Sequence, residues 1–221
     1  MKTDLRTACR YLGMPFPPEK DMLHRLSLLA KELEEHSAPA CIYRIYPLQK
    51  AAEGRRLSDT DLLLWGQSAQ GLLRDCNRAA ILVATLGFAA DRYLKTAQQR
   101  DMAAAAMLDA CASAYLETVA DEAEAEIKEV AGQFLTDRFS PGYGDLPLSL
   151  QPLLIKYTDA EKRLGVHVSS SMMLSPQKSL TAVIGLADTP QPARIRGCAC
   201  CSLSSSCAYR LKGNGNCEAH L

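Results

Sequence analysis

The residues best suited to chemistry fall in two places. Five of the nine cysteines crowd the C-terminal end: Cys198, Cys200, Cys201, Cys207 and Cys217, with His220 beyond them. Cys198-x-x-Cys201 has the spacing that lets one tight turn chelate one metal ion. Cys207 and Cys217 complete a four-thiolate set, and Cys200 or His220 can stand in for one member. Zinc and an iron–sulfur cluster both suit such a set, and spacing does not choose between them. An odd, clustered cysteine count reads as a metal site rather than as a secreted disulfide framework. The competing reading is a flexible, reduced tail without metal, or one prone to disulfides under oxidation. Arg194, Arg196, Arg210 and Lys212 surround the cluster and would offset thiolate charge.

The second place is the loop 137–147, Asp-Arg-Phe-Ser-Pro-Gly-Tyr-Gly-Asp-Leu-Pro. Arg138 offers a guanidinium that pairs with a carboxylate through two parallel hydrogen bonds. Gly142 lacks a Cβ and lets backbone approach a ligand closely. Tyr143 offers an aromatic face to a flat ring or a cation. The bland reading is an ordinary Pro-Gly turn, with Arg138 capping the C-terminus of the helix before it. No Ser-His-Asp order, phosphate loop or HExxH helix is present. His24, His36 and His167 lie singly on different elements.

The bulk properties narrow the class. The chain has 221 residues, 48% of them hydrophobic, and 25 basic against 25 acidic side chains. That is enough for a sizeable core. A balanced charge argues against a general nucleic-acid binder. The N-terminus carries charges where a signal peptide needs an apolar run, and no stretch is long enough to span a bilayer. The cytoplasm is the expected compartment, with no membrane partner. Cys9, Cys41, Cys76 and Cys111 sit singly in apolar or helical contexts and read as small buried hydrophobes.

The loop must be held by long helices and a few strands. Hydrophobic spacing predicts helices over 4–12, capped by Thr3 or Asp4, over 19–36, and over 58–76 with the Ser58–Asp61 cluster as cap. A further helix follows Gly87, then the longest at 102–130, with Leu108, Cys111, Ala112, Tyr115, Val119 and Ala123 as its apolar stripe. The acidic stretch 121–129 reads as its solvated face. One helix is expected over 149–164, stopped by Gly165. Strands are expected at 41–46, 78–85, 166–174 and 180–186, the second buried on both faces. The fold class expected is α+β, long helices packed on a mainly antiparallel central sheet.

The order Arg138-x-x-Pro141-Gly142-Tyr143, then Pro147, a helix ending Glu161-Lys-Arg-Leu-Gly165, a strand with Ser170 and Met172, and Pro176-Gln-Lys-Ser179 resembles the activation domain of cobalamin-dependent methionine synthase. The match is specific from about 78 to 187. It implies three segments: 1–77 as the N-terminal part of the same domain, 78–189 as a core binding S-adenosylmethionine, and 190–221 as a cysteine-rich tail of stand-alone relatives. It implies that Arg138, Ser140, Gly142 and Tyr143 contact the ligand, with Asp91 as an acidic partner for its ammonium. Cobalamin would be carried by a separate methionine synthase subunit, since no Asp-x-His-x-x-Gly motif is present, and a flavodoxin or ferredoxin-type protein would donate electrons.

Three departures accompany the resemblance. Gly144-Asp-Leu replaces the family's Pro-Ala-Cys, Val183 and Ile184 stand where it has Trp-Tyr, and Lys178 stands where it has a small residue. Those at Val183 and Ile184 favour the alternative function, an iron–sulfur or zinc-binding accessory protein for a corrinoid methyltransferase. Anaerobic purification followed by an absorbance spectrum and an iron assay separates the readings of the tail. The iron–sulfur reading expects a coloured, iron-containing protein, and a colourless, iron-free one excludes it.

Overall fold

The structure is a computed structural model and describes residues 1–192. Its centre is a run of eight residues with almost nothing polar in it. Strand β4 (Arg78–Thr85) is buried along nearly its whole length. A strand of this kind needs a cover on both faces and a neighbour on both edges, and β4 has all four. It pairs antiparallel with β1 (Ala40–Ala51) on one side and with β8 (Ser179–Ala187) on the other. Hairpin strands β2 (Gly54–Leu57) and β3 (Leu63–Trp65) extend the sheet beyond β1, and β5 (Phe134–Leu135) closes the far edge. The order is β3-β2-β1-β4-β8-β5, with every pair antiparallel. The α+β class expected from the sequence is the class observed, and β1–β3 join the same sheet as β4 and β8.

Alternation along the strands decides what covers each face. Ala80, Leu82, Ala182, Ile184 and Leu186 face α5 (Met102–Ala131), meeting Ala120, Ala123 and Ile127. Ala79, Ile81 and Val183 face the other way, against α3 (Gln67–Leu72), α6 (Gln151–Thr158) and the loop residue Phe139. The outer side of α5 carries α1 (Leu5–Tyr11), α2 (Lys20–Glu35) and α4 (Gly87–Arg100) around Leu26, Leu33, Leu108 and Cys111. The stripe predicted for the longest helix is buried throughout. Its N-terminus is capped by Asp101, which accepts from the N–H groups of Ala103 and Ala104, and Gly132 ends it in the left-handed conformation. Asp4 caps α1 in the same way. Among the described residues no helix is long and apolar enough to cross a membrane.

Several expectations from the sequence are corrected. Residues 58–76 are not one helix. Ser58 to Asp61 form the β2–β3 turn, with Asp59 at φ 58° and the Thr60 hydroxyl donating to the Leu57 carbonyl. Leu62 and Leu64 are buried while Trp65 is exposed, an alternation of period two that the helical reading overlooked. The helix over 149–164 is broken at Asp159 (φ 59°) into α6 and α7 (Ala160–Leu164), after a 3-10 turn at Leu148–Leu150. Residues 166–174 are not a single strand. β6 (His167–Val168) and β7 (Leu174–Ser175) form a separate two-stranded ribbon, its turn set by Met172 at φ 62°. Cys9, Cys76 and Cys111 are buried as expected, whereas Cys41 is exposed.

The seam between β8 and α3 leaves no spare volume. A Cβ on Gly185 would lie 2.6 Å from Cys76 Sγ and 2.9 Å from both Leu73 Cδ2 and Thr136 Cγ2. Gly185→Ala is therefore expected to destabilise the protein by about 1–3 kcal/mol through overpacking. Urea titration would show a lower midpoint with an unchanged slope.

Candidate functional site

The loop 137–147 leaves β5 and is fastened at three points. The first is main chain. Phe139 N–H donates to Val183 O at 2.9 Å and Val183 N–H donates to Phe139 O at 2.8 Å, so the loop starts as a bridge to β8. Here the replacement at Val183 acquires a role: its small side chain is buried beside Phe139 in the core. Ile184 points to the opposite face, under α5.

The second fastening is electrostatic. Arg138 is buried, and its guanidinium meets three carboxylates of α5: Glu117 at 2.5 Å, Asp121 at 2.7 Å and Glu124 at 2.6 Å. Desolvation pulls the guanidinium pKa down, but Glu124, Glu117 and Asp121 outweigh it and hold the group above its ordinary value. The three acids stand at i, i+4 and i+7, one face of the helix. Of the acidic stretch 121–129, Asp121 and Glu124 turn to Arg138, while Asp121, Glu122, Glu126 and Glu129 are exposed, as a solvated face requires. The paired contact to a ligand carboxylate expected of Arg138 would have to share the guanidinium with these acids.

The third fastening is a cap supplied from a distance. Asp145 accepts from Gln67 N–H at 2.5 Å and Ser68 N–H at 3.1 Å, capping α3 from outside its own segment. Gly66, at φ 101°, leaves the space for it, since a Cβ there would lie 2.7 Å from the Asp145 carboxyl carbon. Between these points Pro141-Gly142-Tyr143 turns back on itself. Gly142 N–H donates to Leu146 O at 2.8 Å and Tyr143 N–H to Ser140 O at 3.2 Å. Gly142 sits at φ 91°, which favours glycine, and Tyr143 projects into solvent.

A cavity of about 490 Å³ opens where this turn faces α5 and β8. Glu117, Arg138, Ser140 and Tyr143 line it, together with Gln151, Leu174, Ser179 and Thr181. A second cavity of about 730 Å³ lies beside it, between α4, the 3-10 turn and the β6–β7 ribbon. Both volumes are in the range of small-ligand sites. Asp91 lies in the second cavity, not the first, and its carboxylate accepts from the N–H groups of Gln177 at 2.6 Å and Lys178 at 3.2 Å. The structure thus brings Arg138, Ser140 and Tyr143 to one cavity with Gly142 in the turn at its edge, and sets Asp91 apart. Lys178 reaches α5, pairing with Asp109 at 2.9 Å and donating to the Ser113 hydroxyl at 3.0 Å. Cys198, Cys201, Cys207 and Cys217 lie outside the described residues. Among those described, no group of three or more His, Cys, Asp or Glu side chains is placed to hold a metal ion.

Sequence reasoning missed Glu117, Asp145 and Gln151. Glu117 had a signal, its spacing from Asp121 and Glu124 ahead of a lone arginine. Asp145 and Gln151 had none, because their partners are remote in the chain. Hydrogen bonds from the Ser68 side chain, and from the Ser68 and Gln67 backbones, hold the Asp145 carboxyl below its usual pKa. A depressed folded pKa contributes stability above the unfolded value, about 4, which is lost as pH falls through the folded one. The urea midpoints of the wild type and Asp145→Ala are therefore expected to differ at pH 6 and to converge as the pH falls through the lowered folded pKa. A difference that persists in acid would assign the cap another origin.

No protein-family profile matches the chain, and no curated protein matches it by sequence. Solved structures do match. One is described as the crystal structure of the MetH reactivation domain bound to AdoHcy, with a TM-score of 0.57 and 15% identity. The match covers 78% of this chain and 64% of that one, so this chain spans less than two thirds of its neighbour's length. At that identity the likeness speaks for architecture alone: the chain has the α+β fold of the methionine synthase reactivation domain.

Proposed function

We propose that this chain binds S-adenosylmethionine and serves as the reactivation module of a separate cobalamin-dependent methionine synthase. In that role it positions the methyl donor for reductive methylation of the cobalamin that the partner carries. The observation that carries the reading is the charge at the first cavity. One guanidinium stands against three carboxylates where the Pro-Gly-Tyr turn meets α5. Of the three acids only Glu117 lines this cavity, so a carboxylate and a guanidinium side by side face a space of small-ligand size, while Asp121 and Glu124 line a neighbouring one. S-adenosylmethionine bears a carboxylate, an ammonium and a sulfonium, and is a net cation. The architecture shared with a reactivation domain that was crystallised with AdoHcy supports the same reading.

The residues present fit such a ligand. Glu117 lines the cavity with its side chain 39% exposed, so it can pair with an ammonium while still touching Arg138. Gly142 keeps the turn low, and a Cβ there would press Leu148 Cδ1 at 3.2 Å in a backbone conformation that side chains resist. Tyr143 offers its ring to the sulfonium side. When bound, S-adenosylmethionine supplies an electrophilic methyl group on a good leaving group. What the chain contributes is position and a fixed electrostatic environment rather than proton transfer. The electron needed for reactivation would come from a flavodoxin or ferredoxin-type donor. The tail cysteines Cys198, Cys201, Cys207 and Cys217 are a candidate metal-binding appendage of the same module.

Isothermal titration tests this directly. The chain is expected to bind S-adenosylmethionine more tightly than the neutral S-adenosylhomocysteine, by about three- to tenfold, because only the former carries the sulfonium charge. Glu117→Gln should weaken S-adenosylmethionine by about tenfold and narrow that preference. Gly142→Val should remove measurable binding of both. Absence of S-adenosylmethionine binding, even with the corrinoid-carrying partner present, would overturn the proposal.

A further inference from the structure

Beyond Pro192 the chain carries Arg194, Arg196, Arg210 and Lys212 against a single acid, Glu218. The whole chain is balanced in charge, so this basic excess leaves the rest of it acidic. Part of that acidity gathers where the chain enters the tail. A cavity of about 440 Å³ lies further along α5 than the first one, lined by Asp121 and Glu124 of the helix and by Asp137 of the loop. Pro190, Gln191 and Pro192 form part of its wall, so the tail starts at the cavity itself. Among the described residues the lining sets one cation, Lys128, against the three carboxylates.

The chemistry of this wall suits a guanidinium. Asp121 meets Arg138 through Oδ1 and Glu124 meets it through Oε1, and the two acidic side chains are still 48% and 19% exposed. A carboxylate has about four acceptor sites, so holding Arg138 leaves capacity for a second cation. Gln191 adds an acceptor of another kind. Its Nε2 donates to the Thr189 carbonyl at 3.1 Å, which settles the amide orientation and makes Oε1 the remaining end. That oxygen is buried, and no described residue donates to it. A buried acceptor is unfavourable until a donor reaches it. Arginine is all donor, with five N–H groups and no acceptor. Phe134 and the two prolines supply apolar surface for the methylene stem of such a side chain.

We infer that the tail docks back on its own domain, with the segment Arg194-Ile195-Arg196 in this cavity. The two guanidiniums pair with Asp121, Glu124 and Asp137, and Gln191 Oε1 is a further acceptor for them. Alternate residues of an extended chain share a face, so both arginines turn to the acids while Ile195 turns away. Arg196 is four residues past Pro192, a span of about 14 Å at most, so the segment reaches the cavity without a long loop. Because the contact is within one chain, its partners meet at an effective concentration that a separate basic protein does not share. Cys198 is six residues past Pro192 and so lies within about 20 Å of it. Docking therefore keeps the cysteine-rich segment beside the face of α5 that clamps Arg138. None of this depends on what the first cavity binds, and loss of that reading leaves the contact intact.

Two measurements on the full chain test it. The first is amide hydrogen exchange at 193–197, read by NMR. In the wild type these amides are expected to exchange about tenfold or more slower than their intrinsic rates at low salt. They should approach those rates at about 1 M salt, where charges are screened beyond about 3 Å. Arg194→Glu combined with Arg196→Glu should release them at low salt, with the urea midpoint of the domain little changed. The second is carbodiimide coupling of a variant carrying Arg194→Lys and Arg196→Lys. An amide link from either lysine to Asp121, Glu124 or Asp137, found by mass spectrometry in the monomeric product, is the expected result. Wild-type exchange at intrinsic rates, or protection that survives the charge reversal, overturns the inference. Links to carboxylates elsewhere on the domain overturn it as well. Links found only between two chains, with protection that rises with protein concentration, replace it with docking on a second copy.

Discussion

A guanidinium removed from water must find its counter-charges inside the protein, and Arg138 finds them on α5. The cost of burying that cation is offset only because Glu117, Asp121 and Glu124 present three carboxylates within 2.7 Å of it. The consequence is mechanical as well as electrostatic. The longest helix, the β5 edge of the sheet and the turn through Pro141-Gly142-Tyr143 are drawn to one point. The cavity between them is lined by Glu117 and Arg138 of this cluster and by Phe139, which bridges to Val183. The buried member is the arginine, at 5% side-chain exposure, so losing the acids would cost more than losing an exposed pair, because it would strand a cation away from water.

The site is assembled from pieces that are rigid for different reasons. β8 is fixed by pairing with β4 along its whole length. α5 is fixed by burial of its stripe against the sheet and by three helices on its outer side. The loop, with no regular structure of its own, takes its shape from them, through the Arg138 cluster, the Asp145 cap on α3 and the main-chain bridge to Val183. The departures from the activation-domain pattern fall among these fastenings. Gly144-Asp-Leu puts a capping carboxylate where the pattern has Pro-Ala-Cys. Val183 gives a side chain small enough to pack beneath Phe139. Each difference bears on how the loop is tied down, and Arg138 and Tyr143 line the cavity beside it.

Local pattern alone determined much of this protein. The apolar run of β4, the stripe of α5, the caps at Asp4 and Gly165 and the turn at Pro141-Gly142 are set by neighbours within a few residues, and each was legible. The α+β class followed from them. Where the readings went astray, the deciding partner was remote. Residues 58–65 became a hairpin because Leu62 and Leu64 pack into a core that the sheet creates. The ribbon of β6 and β7 turns at a left-handed Met172, whose carbonyl accepts a hydrogen bond from Gln151 of α6.

The candidate site divides along the same line. Arg138, Gly142 and Tyr143 were visible because a turn motif advertises itself in sequence. That Arg138 is claimed by α5, that Asp91 is occupied by the backbone before β8, and that Gln151 joins two cavities could be decided only by tertiary contact. Sequence determines which groups can donate, accept or carry charge. Distance and burial determine which of them are already satisfied, and therefore which remain to meet a ligand.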